Sequence, residues 1–234
     1  MIVVFNLSAN FSPELIKSVS FYLRSFLIAK YENQLDIYIN FNGQTCKKIY
    51  STTATGQESE RSEDFGIKKF LNELKEDLPK FNPLNLSYAL SMILCENNSR
   101  KLSSPLKSSS ILIINENVVV PSSQYVQLMN ALFESQRNGI KINVLDFMNQ
   151  ETSNVLLKQS ASITSGYYIN IKSISEVIPT LLNFPAELSS SAQFILNCPK
   201  QEIVDFRGSC FCHGKVVDLG YVCSVCLSGK IMLF

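Results

Sequence analysis

The chain has 234 residues, with 21 Lys and Arg against 20 Asp and Glu, a formal charge of +1 and 46% apolar residues. That length suits one α/β core of roughly 150 to 200 residues with a minor appendage. Near-neutrality excludes a global field that would draw the protein toward phosphate polymers, so any nucleic-acid contact has to be local.

Seven cysteines and no signal peptide point to a reducing compartment, where thiols act as ligands or core groups instead of forming disulfides. The apolar start, Met1 to Leu7, is too short for a membrane span and has no basic flank, so no membrane association is expected. It reads as a buried strand. A helix follows, with Ser12 as its cap, Pro13 in its first turn, and Leu15, Val19, Leu23, Phe26 and Leu27 at helical spacing.

Leu35 to Phe41 alternates apolar and polar, Asn42-Gly43 supplies a hairpin turn, and Cys46 to Tyr50 forms the returning strand. Ser51 to Asp64 is polar and aperiodic, a loop. Helices are expected from Phe65 to Leu78 and from Leu86 to Cys95, then a loop from Ser99 to Ser110. Ile111 to Ile114 is a continuous apolar strand, closed by Asn115-Glu116-Asn117. After Pro121, Val126, Met129, Leu132 and Phe133 mark one helical side. Ile140 to Phe147 is a strand, Thr152 to Ser162 a helix, Tyr167 to Ile171 a strand and Ser173 to Leu182 a helix. This alternation predicts an α/β fold with a mostly parallel sheet covered by helices on both faces. Pro185 and Ser189-Ser190-Ser191 divide a body at 1–188 from a linker and tail at 189–234.

The tail holds the sharpest chemical pattern: Cys210-Phe211-Cys212-His213, a nine-residue spacer, then Cys223-Ser224-Val225-Cys226, with the chain's only histidine among them. Four thiolates can hold a tetrahedral zinc ion. The pair Cys223 and Cys226, at knuckle spacing and closely followed by Gly229, is the more credible half-site; His213 is an alternative ligand. Packed or free thiols are the competing reading. A hydrolytic centre is disfavoured, because there is no second histidine to complete an open site with a general base. Val216, Leu219, Tyr221, Val222 and Val225 exceed what ligand geometry needs and suit a small core or a partner-docking surface.

The run from Cys210 to His213, continued by Gly220-Tyr221-Val222-Cys223-Ser224-Val225-Cys226-Leu227-Ser228 and preceded by Val204-Asp205-Phe206-Arg207, closely resembles the C-terminal signature of the small von Willebrand A-domain subunit family (34-kilodalton type) of general transcription factor IIH. The resemblance implies a von Willebrand A-like body with a zinc-binding tail and a nuclear, non-enzymatic scaffold. It also implies a role in promoter opening and nucleotide excision repair, with the larger von Willebrand A/RING-containing subunit and other core subunits as partners. The family's further cysteines do not follow Cys226. Either Cys210, Cys212, Cys223 and Cys226 form a shortened site, or the metal has been lost.

Many von Willebrand A domains bind magnesium through D-x-S-x-S after the first strand; this chain carries Asn6-Leu7-Ser8-Ala9-Asn10. An amide in place of the leading carboxylate removes the charge a hard cation wants, so no magnesium is expected at Asn6, Ser8 and Asn10. Two alternatives stand beside the scaffold. A zinc-dependent nucleic-acid-binding tail would use Arg207, Lys215 and Lys230, a sparse basic patch. An enzyme would recruit Cys46, Cys95 or the clustered thiols, yet no phosphate loop, dinucleotide loop or H-E-x-x-H motif is present.

Overall fold

A computed structural model describes residues 1–7, 12–30, 33–41, 45–52, 85–103, 109–147, 154–182, 204–207, 221–222 and 229–230. Its elements are β1 (Ile2–Leu7), α1 (Pro13–Ala29), β2 (Asp36–Phe41), β3 (Thr45–Ser51), α2 (Leu86–Ser103), β4 (Ser110–Glu116), α3 (Tyr125–Arg137), β5 (Lys141–Phe147), α4 (Val155–Ile163), β6 (Tyr168–Ile171), α5 (Val177–Leu182), β7 (Tyr221–Val222) and β8 (Gly229–Lys230). Among the described residues the body sheet has six strands in the order β3-β2-β1-β4-β5-β6. Only the β2–β3 pairing is antiparallel.

The strand sequences explain this layout. β1 and β4 are buried at every position, as parallel strands covered on both faces must be. Alternate side chains then serve two cores. Val3, Phe5, Leu7, Leu112, Ile114 and Leu145 meet α1 and α5 through Leu15, Val19, Leu23, Val177 and Leu181. Ile2, Val4, Ile111, Ile113, Ile142 and Val144 meet α2, α3 and α4 through Leu90, Ile93, Leu128, Leu132, Leu157 and Ala161. Among the described residues no helix is long and apolar enough to cross a membrane.

Several local expectations are corrected. The helix expected to end near Cys95 continues to Ser103, although its apolar periodicity stops, because charged groups hold its second half to the sheet. Arg100 pairs with Asp36 and Glu96, and Glu96 also accepts from Lys48 of β3 and from the Tyr38 hydroxyl. Lys48 lies 3.3 Å from Asp36 as well. Burial alone would raise the Glu96 carboxyl; hydrogen bonds from Lys48 and Tyr38 and the charges of Lys48 and Arg100 outweigh it and hold the group below the usual carboxylate range. Its contribution is therefore present at neutral pH and is lost as pH falls through that lowered value.

Phe133, expected on the buried side of α3, is 56% exposed. The buried stripe is Leu128, Leu132 and Ser135, and Phe133 stands about 100° round the helix from Leu132. Ser12 precedes α1, but its hydroxyl makes no cap bond. The last body helix begins with a 3₁₀ turn, Ile174–Glu176, before α5. The helix expected at 65–78, the hairpin turn at Asn42-Gly43 and the boundary at 188/189 lie outside the described residues.

Where α4 returns to β6, the chain passes against β5 so closely that a Cβ on Gly166 would sit 1.9 Å from the Ile142 carbonyl oxygen. The same turn is tied by Thr164 Oγ1, which accepts from the Ile142 amide at 3.1 Å and donates to the Ser160 carbonyl at 2.8 Å. Backbone cannot yield as a flexible side chain can. Gly166→Ala should therefore lower stability by about 2–3 kcal/mol, read as a shift in the urea midpoint; an unchanged midpoint would contradict this packing.

Candidate functional site

Strand order reverses between β1 and β4, and in open α/β sheets the carboxyl end of that junction is where ligands gather. Here the crest carries a row of polar side chains. Asn40, Asn6, Asn115 and Asp146 are successive register partners on β2, β1, β4 and β5, and each is at most 1% exposed. Asn40 Nδ2 donates to Asn6 Oδ1 at 2.9 Å, Asn6 Nδ2 to Asn115 Oδ1 at 2.5 Å, and Asn115 Nδ2 to Asp146 Oδ1 at 2.7 Å. The second Asp146 oxygen accepts from the Tyr168 hydroxyl of β6 at 2.7 Å and from Asn154 Nδ2 at 3.2 Å. Side chains from five neighbouring strands thus form one hydrogen-bonded chain.

Asn154 extends it into the β4–α3 connection. Its amide donates to the Val118 carbonyl at 2.9 Å and its oxygen accepts from the Val120 amide at 3.2 Å. Asn115 also donates to the Val118 carbonyl at 2.9 Å. An unpaired buried polar group costs roughly 1–3 kcal/mol, so four left open would consume on the order of 4–12 kcal/mol, comparable with the whole stability of a domain. The row has to be closed for the sheet to stand.

One carboxylate departs from this economy. Glu116, at the end of β4 on the opposite face, is 1% exposed. Its Oε1 accepts the Ser12 amide at 2.7 Å, while Oε2 is buried without a hydrogen-bond partner. Burial pushes its pKa up to about 7, against the smaller opposing effect of the Ser12 bond. Burial, followed by the charge of Glu96, likewise pushes the Cys46 thiol up to about 12, which keeps it protonated and a poor nucleophile at neutral pH. Cys95 is exposed on α2.

Of the positions the sequence singled out, Asn6 lies within β1 and its amide is engaged inside the row; Ser8 and Asn10 fall outside the described residues. Cys210, Cys212, His213, Val216, Leu219, Cys223, Val225 and Cys226 also fall outside them. Tyr221 and Val222 form β7, paired antiparallel with β8 through Tyr221↔Lys230 and Val222↔Gly229. These strands flank the segment that carries Cys223 and Cys226, and Tyr221 is 63% exposed. Arg207 forks onto Asp205, with Nη2 at 2.7 Å and Nε at 3.0 Å from its carboxylate. Among the described residues no group of three or more His, Cys, Asp or Glu is placed to share a metal ion.

Sequence reading missed Asn40, Asp146, Asn154 and Tyr168 as members of the crest, and Glu116 as a buried carboxylate on the opposite face. A signal existed: four apolar strands each carry Asn or Asp at or next to their last position, as Ile39-Asn40, Phe5-Asn6, Ile114-Asn115 and Leu145-Asp146.

The layering and the strand order define a doubly wound α/β domain with one antiparallel edge strand. The crystal structure of the TFIIH p34 N-terminal domain shares the fold, with a TM-score of 0.63 at 18% identity, covering 77% of this chain and 94% of that one. The family model "Transcription factor Tfb4" matches residues 65–232, more than half of the chain, and the chain belongs to that family. It is 34% identical over 162 residues to General transcription factor IIH subunit 3 of Dictyostelium discoideum, covering 69% of this chain and 42% of that protein. To the General transcription and DNA repair factor IIH subunit TFB4 of Arabidopsis thaliana it is 32% identical over 187 residues, covering 80% and 60%. The chain thus spans less than two thirds of the length of these curated relatives.

Asn6→Asp should replace a donor by an acceptor facing Asn115 Oδ1, whose own amide is already committed. A stability loss of about 2–3 kcal/mol is expected in urea unfolding, and an unperturbed midpoint would show that the row is not under strain to stay closed. For Glu116 the folded value near 7 lies above the unfolded value near 4.5, so the folded state holds the extra proton between them. Stability should fall as pH rises from about 5 to 7.5, by on the order of 2 kcal/mol, and level off above. In Glu116→Gln that pH-dependent loss should disappear; parallel curves for the two proteins would place the titration elsewhere.

Proposed function

We propose that the chain is a non-enzymatic structural subunit of the nuclear transcription factor IIH core, which binds the larger von Willebrand A/RING-containing subunit and supports promoter opening and nucleotide excision repair. The observation that carries this reading is the family match, which runs from residue 65 through the cysteine tail to residue 232. The names of the relatives, subunits of a transcription and DNA repair factor, point the same way. The body contributes a rigid platform whose crest amides are bonded to one another. The tail at 189–234 contributes the docking surface.

In that tail Cys210, Cys212, Cys223 and Cys226 would hold one zinc ion, with His213 as the alternative ligand. The donor set suits zinc, since four thiolates satisfy a soft tetrahedral ion, and the β7–β8 pairing on either side of the Cys223–Cys226 segment suits a knuckle. Bound zinc would supply cross-linking, not chemistry. Val216, Leu219, Tyr221, Val222 and Val225 would then face the partner; the 63% exposure of Tyr221 supports this. The nucleic-acid reading is weaker, because Arg207, one of its three bases, is already neutralised by Asp205.

Co-purification tests the docking role. Removing residues 208–234 should abolish capture of the larger von Willebrand A/RING subunit while the body still unfolds cooperatively, and undiminished capture would reject the role. Metal analysis of freshly purified protein should find one zinc per chain, lost in both Cys223→Ser and Cys226→Ser; a folded wild-type protein without zinc would reject the site.

A further inference from the structure

Among the described residues, α4 (Val155–Ile163) is the one helix of the body with no exposed position, its residues being buried or, at Val155, Lys158, Ser162 and Ile163, half-buried. The helices α1, α2, α3 and α5 each show a bare apolar residue, Phe21, Tyr88, Phe133 and Leu182, from 51% to 59% exposed. α4, nine residues long, has no exposed residue at all. An outer helix of a three-layer sandwich should keep one side in water. Something lies over α4.

Gln159 identifies the cover. Leu157 and Ala161 face the sheet core, and Gln159 is two residues from each, about 200° away round the helix. It should therefore point outward, yet it is 2% exposed. Its Nε2 donates to the Asp205 backbone carbonyl at 2.7 Å, 46 residues along the chain. The segment 204–207 has no regular secondary structure, but it is held in shape locally. Asp205 Oδ1 accepts the Arg207 amide at 2.9 Å, and the Arg207 guanidinium grips both carboxylate oxygens at 2.7–3.0 Å. With the Asp205 side chain turned to Arg207, its carbonyl is left to face α4. Gln159 Oε1 is buried with no hydrogen-bond partner, so the residue is a poor choice for packing alone: leucine would fill the space without a stranded acceptor. What glutamine adds is the bond to Asp205.

We propose that the outer face of α4 is a dock for the lead-in to the cysteine tail, with Gln159 as the residue that positions it. The lead-in leaves the body three residues before Cys210, so this dock determines the side of the body from which the cysteine segment emerges. It turns a tail on a tether into a tail with a fixed root, whose effective concentration at a body-bound partner is set by geometry. The proposal is independent of which partner the tail meets.

Amide hydrogen exchange on the full chain, read by mass spectrometry, tests it without any partner. In Gln159→Leu the peptide spanning 204–207 should exchange roughly five- to tenfold faster, the equivalent of one lost hydrogen bond, while peptides from β4 and β5 keep their protection and the thermal midpoint holds or rises. Unchanged exchange in the 204–207 peptide would overturn the proposal. Should Gln159→Leu fail to fold, Gln159→Asn, one methylene short of Asp205, must show the same selective loosening. Failure of both variants to fold would also overturn it, by making Gln159 a requirement of the body itself.

Discussion

Burial of three amides and one carboxylate at the ends of four apolar strands is the constraint on which the rest of the body depends. Strands such as β1 and β4, apolar on both faces, carry little information about register, because sliding one by two residues exchanges one branched aliphatic for another. The polar row removes that degeneracy. With Asn6 opposite Asn40 and Asn115, and Asn115 opposite Asp146, a two-residue slip would set an amide against valine or isoleucine and leave its partners without bonds. The row therefore selects one alignment by penalising every other, and the cooperative chain of donors makes the penalty collective.

The other end of the second core uses charge for a related purpose. β3 is the antiparallel strand at the margin of the described sheet, with no strand beyond it among the described residues to define its place. Lys48 of β3 reaches Asp36 of β2 and Glu96 of α2, and Arg100 of α2 closes the figure. The Asp36 side chain is only 6% exposed, so the cluster's importance lies in the penalty for breaking it. A single partner removed would leave a desolvated carboxylate, whereas an exposed ion pair would contribute less than about 1 kcal/mol. This cluster also explains why α2 outruns its own apolar periodicity.

Hydrophobic periodicity made the layers legible before any coordinates: Ile111-Leu112-Ile113-Ile114 could only be a buried strand, and Leu15, Val19 and Leu23 only one side of a helix. It misled where a polar group substitutes for an apolar one. Asn97 and Arg100 look like surface on a hydropathy scale, yet Asn97 is buried and accepts from Ser109 at 2.8 Å. Glu116 reads as a loop carboxylate after an apolar run, and its burial follows from the parallel neighbours on either side, which only the topology supplies. The crest row was partly readable as a recurring Asn or Asp at strand ends. Its connectivity was not, because which amides meet depends on strand order. Phe133 shows the converse error, an aromatic assigned to the core by type although its angle on α3 points it outward.

The same distinction governs where this body can offer contacts. A strand-end loop becomes a ligand site when its polar groups converge on a point outside the sheet; in this chain Asn6, Asn40, Asn115 and Asp146 converge on one another. Donors already satisfied inside the fold gain little from a new acceptor, since the exchange replaces one good bond with another. Apolar groups held in water have no such competitor. Val119 beside the crest, Phe206 in the lead-in and Tyr221 in β7 are each more than half exposed, as are Phe21, Ile28, Tyr88, Phe133 and Leu182 on the helices of the body. The physics that closes the crest thus leaves association to apolar groups held in water, on the helices of the body as well as in the segment after it, and Gln159 bonds that segment at Asp205 to the outer side of α4.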